Sequence, residues 1–431
     1  MSRRFTPTSI QVDLEVCIGK AAHRVGDLSY HKTGPREYST FAYTDAWLER
    51  TGVFEISPDL PLVRDYQTRR AAAGNSVFFL ALADTEPDTW GKRVIARAHA
   101  KERKKNPELK ALTELDYLCA VDDFSRVGAL RLRKPKGQFL RTVEEGRRAT
   151  PPLFELAHMM SASRAFEMSE ETASDLEYLL GKGTSLGGMR PKCTVLDDDG
   201  TLALAKFPSV NDTRSVTRGE VLALRLAALA GIEAADARIV VVQNTPIALI
   251  RRFDRTTDQS RIHYLSGTSM LQAQREDERA YTEIVDVMRA RCATPVEDAR
   301  QLWRRLAFNH LIANVDDHLQ NIGFLHVGRG QWRLAPAFDL NPFPDRDNES
   351  KTWLTEATGP ITSVRELSSE ARYFHLDDTQ ARAMLGEVVG AVSAWRNVAL
   401  SQEVGMTTKE LDDFAPAFEG RALDEARQVL G

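Results

Sequence analysis

Apolar and polar positions alternate with period two near the start of the chain. Residues 12–16 (Val-Asp-Leu-Glu-Val) show this alternation, which is typical of a half-buried strand. Short runs of the same kind, broken by Gly and Pro, continue through residues 11–70. The pattern predicts a β-rich segment.

Helical periodicity replaces this alternation over residues 89–118. Residues 193–255 again predict strands around one helix, and the chain is mostly helical from about residue 280 onward. Residues 135–155 contain two adjacent prolines and few residues that could build a core, which indicates a linker. The prediction is an α+β protein in three parts, residues 1–135, 150–255 and 256–431.

Bulk composition narrows the functional classes only a little. The chain has 431 residues, 42% hydrophobic and 27% charged, as in ordinary globular proteins. A formal net charge of −4 gives no overall attraction to nucleic acid or anionic membranes. The longest apolar run, Val77–Ala83, is far shorter than the roughly 18 residues of a membrane span. Four widely spaced cysteines suggest reduced thiols in a cytoplasmic protein: Cys17, Cys119, Cys193 and Cys292.

The segment from Asn314 to Asp339 carries the most specific chemical pattern. Residues 314–321 read Asn-Val-Asp-Asp-His-Leu-Gln-Asn, so Asn321 follows Asp316 by five positions. Protein kinases place a proton-accepting Asp, a metal-binding Asn five positions later and a second metal-binding Asp further on. The spacing predicts phosphoryl transfer, with Asp339 as the later acid.

The flanking pattern supports this interpretation. Apolar residues fall on one face of a helix before the loop, at 302, 303, 306, 307 and 311. Residues 322–327 and 331–334 predict two strands joined by a Gly-Arg-Gly turn. A helix, a polar loop, a hairpin and an Asp in this order are the arrangement of a kinase C-lobe.

Two other interpretations of the loop exist. Asp and Asn favour turns, so these residues could simply shape a loop. Asp317 lies four residues before Asn321 and is the rival base, but the five-residue spacing favours Asp316. His318 is expected to orient or support the cofactor site instead of binding metal.

A glycine-rich segment at residues 180–192 is the second candidate. Gly187 and Gly188 would let backbone N–H groups approach a phosphate closely. The segment lacks the GxxxxGK[ST] spacing of a Walker A motif, and a flexible turn is the alternative interpretation. It precedes a strand-like run that ends in Lys206.

Lys206 could reach the α- and β-phosphates of ATP, as the strand lysine of kinases does. Alternatively, it could be an edge-strand lysine that extends into solvent. Glu220 on the next predicted helix could pair with it, but Thr217 and Glu220 also match a capping box. Residues 247–255 read as a strand entering a polar link between lobes, where the backbone near Arg251 and Phe253 would read adenine.

These residues resemble the HipA family of bacterial serine/threonine kinase toxins of type II toxin–antitoxin systems. The resemblance covers nearly the whole chain and rests on several motifs together, at 77–91, 127–131, 185–192, 252–255, 314–321 and 334–339. It implies a two-lobed protein-kinase-like fold with an N-terminal β-rich subdomain and a mostly helical C-lobe.

The resemblance also implies ATP and Mg²⁺ as cofactors and assigns site residues by position. Asp316 matches the catalytic base, Asn321 and Asp339 the metal ligands, and Lys206 the phosphate-binding lysine. Ser185 matches a regulatory serine that undergoes autophosphorylation. A phosphate there would add roughly −1.5 to −2 charge where ATP phosphates would sit.

The partners implied are of two kinds. The family typically phosphorylates an aminoacyl-tRNA synthetase, most often the glutamyl enzyme, and is held inactive by a HipB-like helix-turn-helix antitoxin that binds operator DNA. Two positions depart from the family pattern: Gln320 stands where a lysine is common, and Arg251 where a glutamate is common. The first departure removes a charge near the transferred phosphate.

Two alternative functions fit the same fold. One is a kinase-like phosphotransferase acting on a small molecule or lipid, because fold does not fix the acceptor. The other is a non-enzymatic protein that binds the antitoxin as a co-repressor. The complete set of acidic residues disfavours the second.

Overall fold

The computed structural model describes residues 9–70, 75–142, 150–182, 188–274, 277–345 and 350–431. Its strands, in chain order, are β1 (Ser9–Ile18), β2 (His23–Thr33), β3 (Arg36–Tyr43), β4 (Gln67–Arg70), β5 (Leu130–Arg133), β6 (Lys192–Leu196), β7 (Leu202–Lys206), β8 (Ala237–Val242), β9 (Thr245–Arg251), β10 (Tyr264–Ser266), β11 (Gly323–Gly328), β12 (Gln331–Leu334), β13 (Trp353–Thr355) and β14 (Gly359–Pro360).

Helices alternate with strands along most of the chain and predominate in its C-terminal part. They are α1 (Asp45–Leu48), α2 (Leu80–Ala83), α3 (Thr89–Lys105), α4 (Glu114–Ala120), α5 (Leu156–Met168), α6 (Ala173–Lys182), α7 (Val216–Leu229), α8 (Gly267–Met270), α9 (Tyr281–Arg291), α10 (Pro295–Leu311), α11 (Val364–Ser369), α12 (Asp378–Ser393), α13 (Trp395–Ala399), α14 (Thr408–Phe418) and α15 (Arg421–Leu430).

The N-terminal sheet has the strand order β4-β3-β2-β1-β5, with antiparallel neighbours. Of the three apolar members of the alternating run, Leu14 and Val16 are buried and Val12 is partly buried, so the predicted strand is confirmed. A register shift after Val16 lets the long β1–β2 pair curve around this core.

A second antiparallel sheet has the order β6-β7-β9-β8. One face packs against α5 and α6 in a separate apolar cluster that includes Cys193, Ala205 and Leu249. Trp90 and Val94 of α3 belong to the same cluster. Part of the N-terminal 135 residues therefore supports the second sheet directly.

The C-terminal part is mostly helical, with the small antiparallel sheet β10-β11-β12 inserted. Helix α10 buries the apolar face that its period predicted, including Trp303 and Leu306. It ends at Leu311, and Ala313 turns the chain with a positive φ of 52°. The β11–β12 hairpin follows the loop as predicted.

A buried ion network joins the N-terminal part to the second sheet. Asp254 accepts hydrogen bonds from Gly128 N at 2.7 Å and from the guanidinium of Arg252 at 2.6 Å. Arg252 also donates to the carbonyl oxygen of Ser125. Burial would raise the pKa of the Asp254 carboxyl, but Arg252 and Arg255 hold it far below its usual range. The Arg-Phe-Asp-Arg motif is thus a structural anchor at the end of β9.

The loop before β8 joins the second sheet to the C-terminal part. Ala235 N donates to the carbonyl oxygen of Ala337 at 2.8 Å, and Ala337 N donates to that of Glu233 at 2.7 Å. These bonds fix the backbone two residues before Asp339. No helix within the described residues is long and apolar enough to span a membrane.

Candidate active site

Lys206 contacts two carboxylates, that of Glu220 on α7 and that of Asp339 in the C-terminal part. Its Nζ lies 2.6 Å from Glu220 Oε1 and 2.7 Å from Asp339 Oδ1. The strand β7 is central in its sheet, and Lys206 is buried at its end, so the solvent-exposed edge lysine is excluded. Burial alone would lower the pKa of Lys206, but Asp339 and Glu220 raise it above its usual value.

Glu220 occupies the pairing position and not the capping position. Helix α7 has Ser215 as its N-cap residue, without a side-chain cap bond. The Thr217 hydroxyl donates instead to the carbonyl oxygen of Pro246 at 3.0 Å. The capping-box alternative is therefore wrong, because the Glu220 side chain points to Lys206.

Asp339 has an unusual backbone conformation for a non-glycine residue, with φ at 54°. Its Oδ1 accepts hydrogen bonds from Lys206 and, at 3.0 Å, from Asn341 Nδ2. Burial opposes ionisation of Asp339, but the Lys206 and Lys192 ammonium groups hold its pKa well below the usual range. An ionised carboxylate with a strained backbone is a common arrangement at functional sites.

Lys192 is a site residue to which the sequence pattern gave no role. It begins β6, and its Nζ lies 3.4 Å from Asp88 Oδ2 with both side chains only 3% exposed. Burial lowers the pKa of Lys192, and Asp88 opposes that shift. The signal in the sequence was a lysine that ends the glycine-rich segment and enters an apolar strand.

Gly188 lies beside this lysine with φ at 96°. A Cβ atom at this position would lie 2.6 Å from Lys192 Nζ. The carbonyl oxygen of Gly188 accepts a hydrogen bond from Trp90 N at 3.3 Å. A glycine is needed here for both its conformation and the space it leaves. Ser185 and Gly187, the other predicted residues of this segment, lie outside the described residues.

Asp316 is partly exposed at the start of the polar loop. Its carboxylate receives a hydrogen bond from Lys351 Nζ, and its carbonyl oxygen accepts one from Asn321 Nδ2 at 2.8 Å. His318 Nε2 lies 3.9 Å from Asp316 Oδ1. Because burial lowers the pKa of His318, its uncharged form is favoured at neutral pH. The loop therefore presents one carboxylate toward solvent.

Asp317 has a different environment from its neighbour. Its side chain accepts hydrogen bonds from Tyr281 Oη and from Lys351 N, each at 2.7 Å. Burial raises its pKa to about 6, although these donors act in the opposite direction. Both carboxylate oxygens of Asp317 therefore bind neighbouring segments, whereas the Asp316 carboxylate stays accessible. This geometry favours Asp316 over Asp317 as the base.

Arg251 and Phe253 are placed differently from each other. Arg251 lies opposite Ala203 in the β7–β9 pair, while Lys206 lies opposite Ala248. Its guanidinium is exposed, 3.8 Å from Asp199, and is not brought to Lys206. Phe253 packs against Phe338, with 5.4 Å between ring centroids, next to Asp339. The adenine contact predicted here stays a prediction.

The carboxylate and amide oxygens of this site suit the Mg²⁺ ion that binds together with ATP. No group of three His, Cys, Asp or Glu side chains suited to hold a metal occurs among the described residues. Mg²⁺ in phosphotransferase sites takes one or two protein oxygens plus phosphate and water, so no such group is required. Asn321 uses its amide nitrogen on the Asp316 carbonyl, so its amide oxygen is not used in that bond, and its predicted role as a metal ligand stays a prediction.

The two-lobed fold, with a strand lysine joined to a helix glutamate and to an aspartate after a hairpin, is a protein-kinase-like fold. The chain belongs to the HipA family: the family model of the HipA N-terminal domain matches residues 14–133, and that of the HipA-like C-terminal domain matches residues 184–395. Together the two models span most of the chain.

Individual proteins are similar to this chain at lower identity. A Sinorhizobium fredii protein described as "Putative kinase Y4mE" is 26% identical over 37% of this chain and 42% of its own length. A Haemophilus influenzae protein described as "Putative kinase" is 26% identical over 24% of this chain and 33% of its own length. The chain thus spans less than half the length of these relatives.

A solved structure matches nearly the whole chain. It is the Shewanella oneidensis complex of the toxin–antitoxin system proteins HipA and HipB with operator DNA. The TM-score is 0.67, with 17% identity over 97% of this chain and 99% of that chain. This likeness shows the fold, including the β-rich N-terminal part and the helical C-terminal part.

Proposed function

We propose that this protein is an ATP-dependent serine/threonine protein kinase. The observation that carries the proposal is the contact of Lys206 with both Glu220 and Asp339. Kinases use such a lysine for the phosphates and such an aspartate for the metal that bridges them. Asp316 and Asn321 lie on a separate loop, whose Asn314 side chain accepts a hydrogen bond at 3.4 Å from Asn341 N, two residues after Asp339.

The reaction follows from these positions. Asp316 accepts the proton of the acceptor hydroxyl while that oxygen bonds to the γ-phosphorus, and the bond from the γ-phosphorus to the bridging oxygen of ADP breaks. Lys206 and Lys192 bind and orient the phosphates, and Glu220 holds Lys206 in place. Bound Mg²⁺, held by Asn321 and Asp339, would neutralise phosphate charge. Most of the catalysis is positioning and electrostatics.

A toxin role is part of the proposal. The acceptor would be a serine or threonine of an aminoacyl-tRNA synthetase, with the glutamyl enzyme as the first candidate, and its phosphorylation would stop translation. The inhibitor would be a HipB-like antitoxin that also brings the complex to operator DNA. Family membership and the likeness to the Shewanella oneidensis complex support this context.

Self-inactivation at Ser185 is the regulatory part of the proposal. A phosphate on this serine would carry roughly −1.5 to −2 charge. It would repel the phosphates of ATP from the lysines that begin β6 and end β7, Lys192 and Lys206. Ser185→Ala protein should therefore keep its activity during incubation with ATP, while the unmodified sequence loses activity as label accumulates on Ser185.

The central test uses labelled ATP, Mg²⁺ and candidate synthetases. The unmodified protein should transfer label to a serine or threonine, mapped by mass spectrometry, and Asp316→Asn should not. Asp412→Asn, an exposed substitution on α14, controls for the change itself. Equal labelling by both proteins, or none by either, would contradict the kinase proposal. Label found only on a small molecule would support the alternative acceptor class.

A further inference from the structure

Lys351 contacts the carboxylate that the proposed mechanism uses as a base. Its Nζ donates to Asp316 Oδ1, and the two side chains are 50% and 33% exposed. Lys351 comes from the segment before β13, far from the loop in sequence. The structure thus brings a cation to the reacting carboxylate from outside residues 314–321.

The backbone around Lys351 is fixed independently of its side chain. Lys351 N donates to Asp317 Oδ1 at 2.7 Å, and the Thr352 hydroxyl donates to the carbonyl oxygen of Asp317 at 2.9 Å. Trp353 N donates to the carbonyl oxygen of Arg279 at 2.9 Å. These bonds position the ammonium and would survive replacement of the side chain.

The charges around the loop explain why a cation is useful there. Lys206 already faces two carboxylates, and Lys192 faces Asp88. Within the loop, Gln320 is exposed and uncharged. The γ-phosphoryl group must lie beside Asp316 during transfer, because Asp316 takes the proton from the hydroxyl that attacks it. Lys351 can reach that position.

We propose that Lys351 is a catalytic residue of the phosphoryl transfer, a role that rests on the proposed kinase function. Its ammonium orients the Asp316 carboxylate and shares its N–H groups with the γ-phosphoryl oxygens as the acceptor oxygen bonds to phosphorus. ADP leaves with the bridging oxygen, and the hydroxyl proton goes to Asp316. Lys351 keeps its own protons, so its contribution is electrostatic.

The first test measures binding without turnover. Dissociation constants for ADP and for a non-hydrolysable ATP analogue, each with Mg²⁺, are compared in the unmodified protein, Lys351→Met, Lys351→Arg and Lys409→Met. The last changes an exposed lysine on α14. Lys351→Met should weaken binding of the analogue roughly 3- to 10-fold and leave ADP unchanged, because a single charged hydrogen bond is lost. Equal weakening for both nucleotides would indicate a structural role and overturn the inference.

The second test measures turnover with the same variants. Lys351→Met should lower kcat about 10- to 100-fold, Lys351→Arg should retain most of it, and thermal unfolding should stay unchanged. An unchanged or higher kcat in Lys351→Met would overturn the inference, since the lysine would then be dispensable or would mask Asp316. An inactive unmodified protein would instead contradict the kinase proposal itself.

Discussion

The two halves of the site differ in how far their charged side chains are exposed to solvent. On the second sheet and α7, the Lys206 and Glu220 side chains are 10% and 3% exposed. On the polar loop, the Asp316 and Lys351 side chains are 33% and 50% exposed. The first half is therefore built into the protein interior, while the second remains open to solvent and to an acceptor.

Because of this difference, substitutions in the buried half should change the stability of the fold, whereas substitutions in the exposed half should change mainly the reaction. Removing one member of a buried ion group leaves an uncompensated charge and costs several kcal/mol, whereas exposed ion pairs contribute little. The Lys206 network therefore has to be intact for the fold as well as for phosphate binding. The partly exposed Asp316 and Lys351 side chains can change with little effect on folding, so their substitution reports on the reaction.

The largest expected effect comes from breaking the buried half. Lys206→Met leaves Glu220 and Asp339 without the cation that both contact. We expect a loss of about 3–5 kcal/mol in the free energy of unfolding, together with loss of transfer. Urea denaturation measures the first and labelled ATP the second. Lys409→Met should change neither, and a Lys206→Met protein of unchanged stability would show that the network is not coupled to folding.

A smaller effect is the pH dependence of stability that arises from Asp317, the buried neighbour of Asp316. Burial raises the pKa of Asp317 in the folded protein to about 6. Between the pKa of this side chain in the unfolded chain and pH 6, the folded protein therefore keeps a proton that the unfolded chain has lost. The contribution of Asp317 to stability is therefore lost as pH rises through 6. Asp317→Asn cannot titrate and lacks this dependence.

Urea denaturation at pH 5 and pH 8 tests the difference. The stability advantage of the unmodified protein over Asp317→Asn should shrink by about 1 kcal/mol between these pH values. A gap for Asp317→Asn that does not change with pH would contradict the assigned environment.

Local patterns in the sequence predict much of this site. An apolar run identifies the strand that ends at Lys206, and period 3.6 identifies the helix before the loop, because burial selects apolar residues in those patterns. The five-residue spacing of Asp316 and Asn321 is also a local property, and so the polar loop is recognisable. The choice of Asp316 over Asp317 rests on spacing, and the structure adds the physical difference between them.

Contacts between distant segments could not be predicted in this way. Asp88 lies more than 100 residues before Lys192, and Lys351 lies 35 residues after Asp316. Neither pair has a periodic signature, because each depends on how separate elements pack. The pairing of Glu220 was ambiguous for the same reason: its capping motif was local, and its real partner was on another element.

The smallest expected effect concerns Arg251, which the sequence pattern assigned to the nucleotide site. Its guanidinium is exposed and lies 3.8 Å from Asp199 at the turn between β6 and β7, so it forms a surface ion pair of a kind that contributes little to stability. We expect Arg251→Ala to change ATP affinity less than about twofold, since any adenine contact there would use the backbone. Titration of a fluorescent ATP analogue measures this, with Asp199→Ala as the matched variant. A large loss with Arg251→Ala but not with Asp199→Ala would show that the guanidinium turns toward the nucleotide, and the open half of the site would then extend to the end of β9.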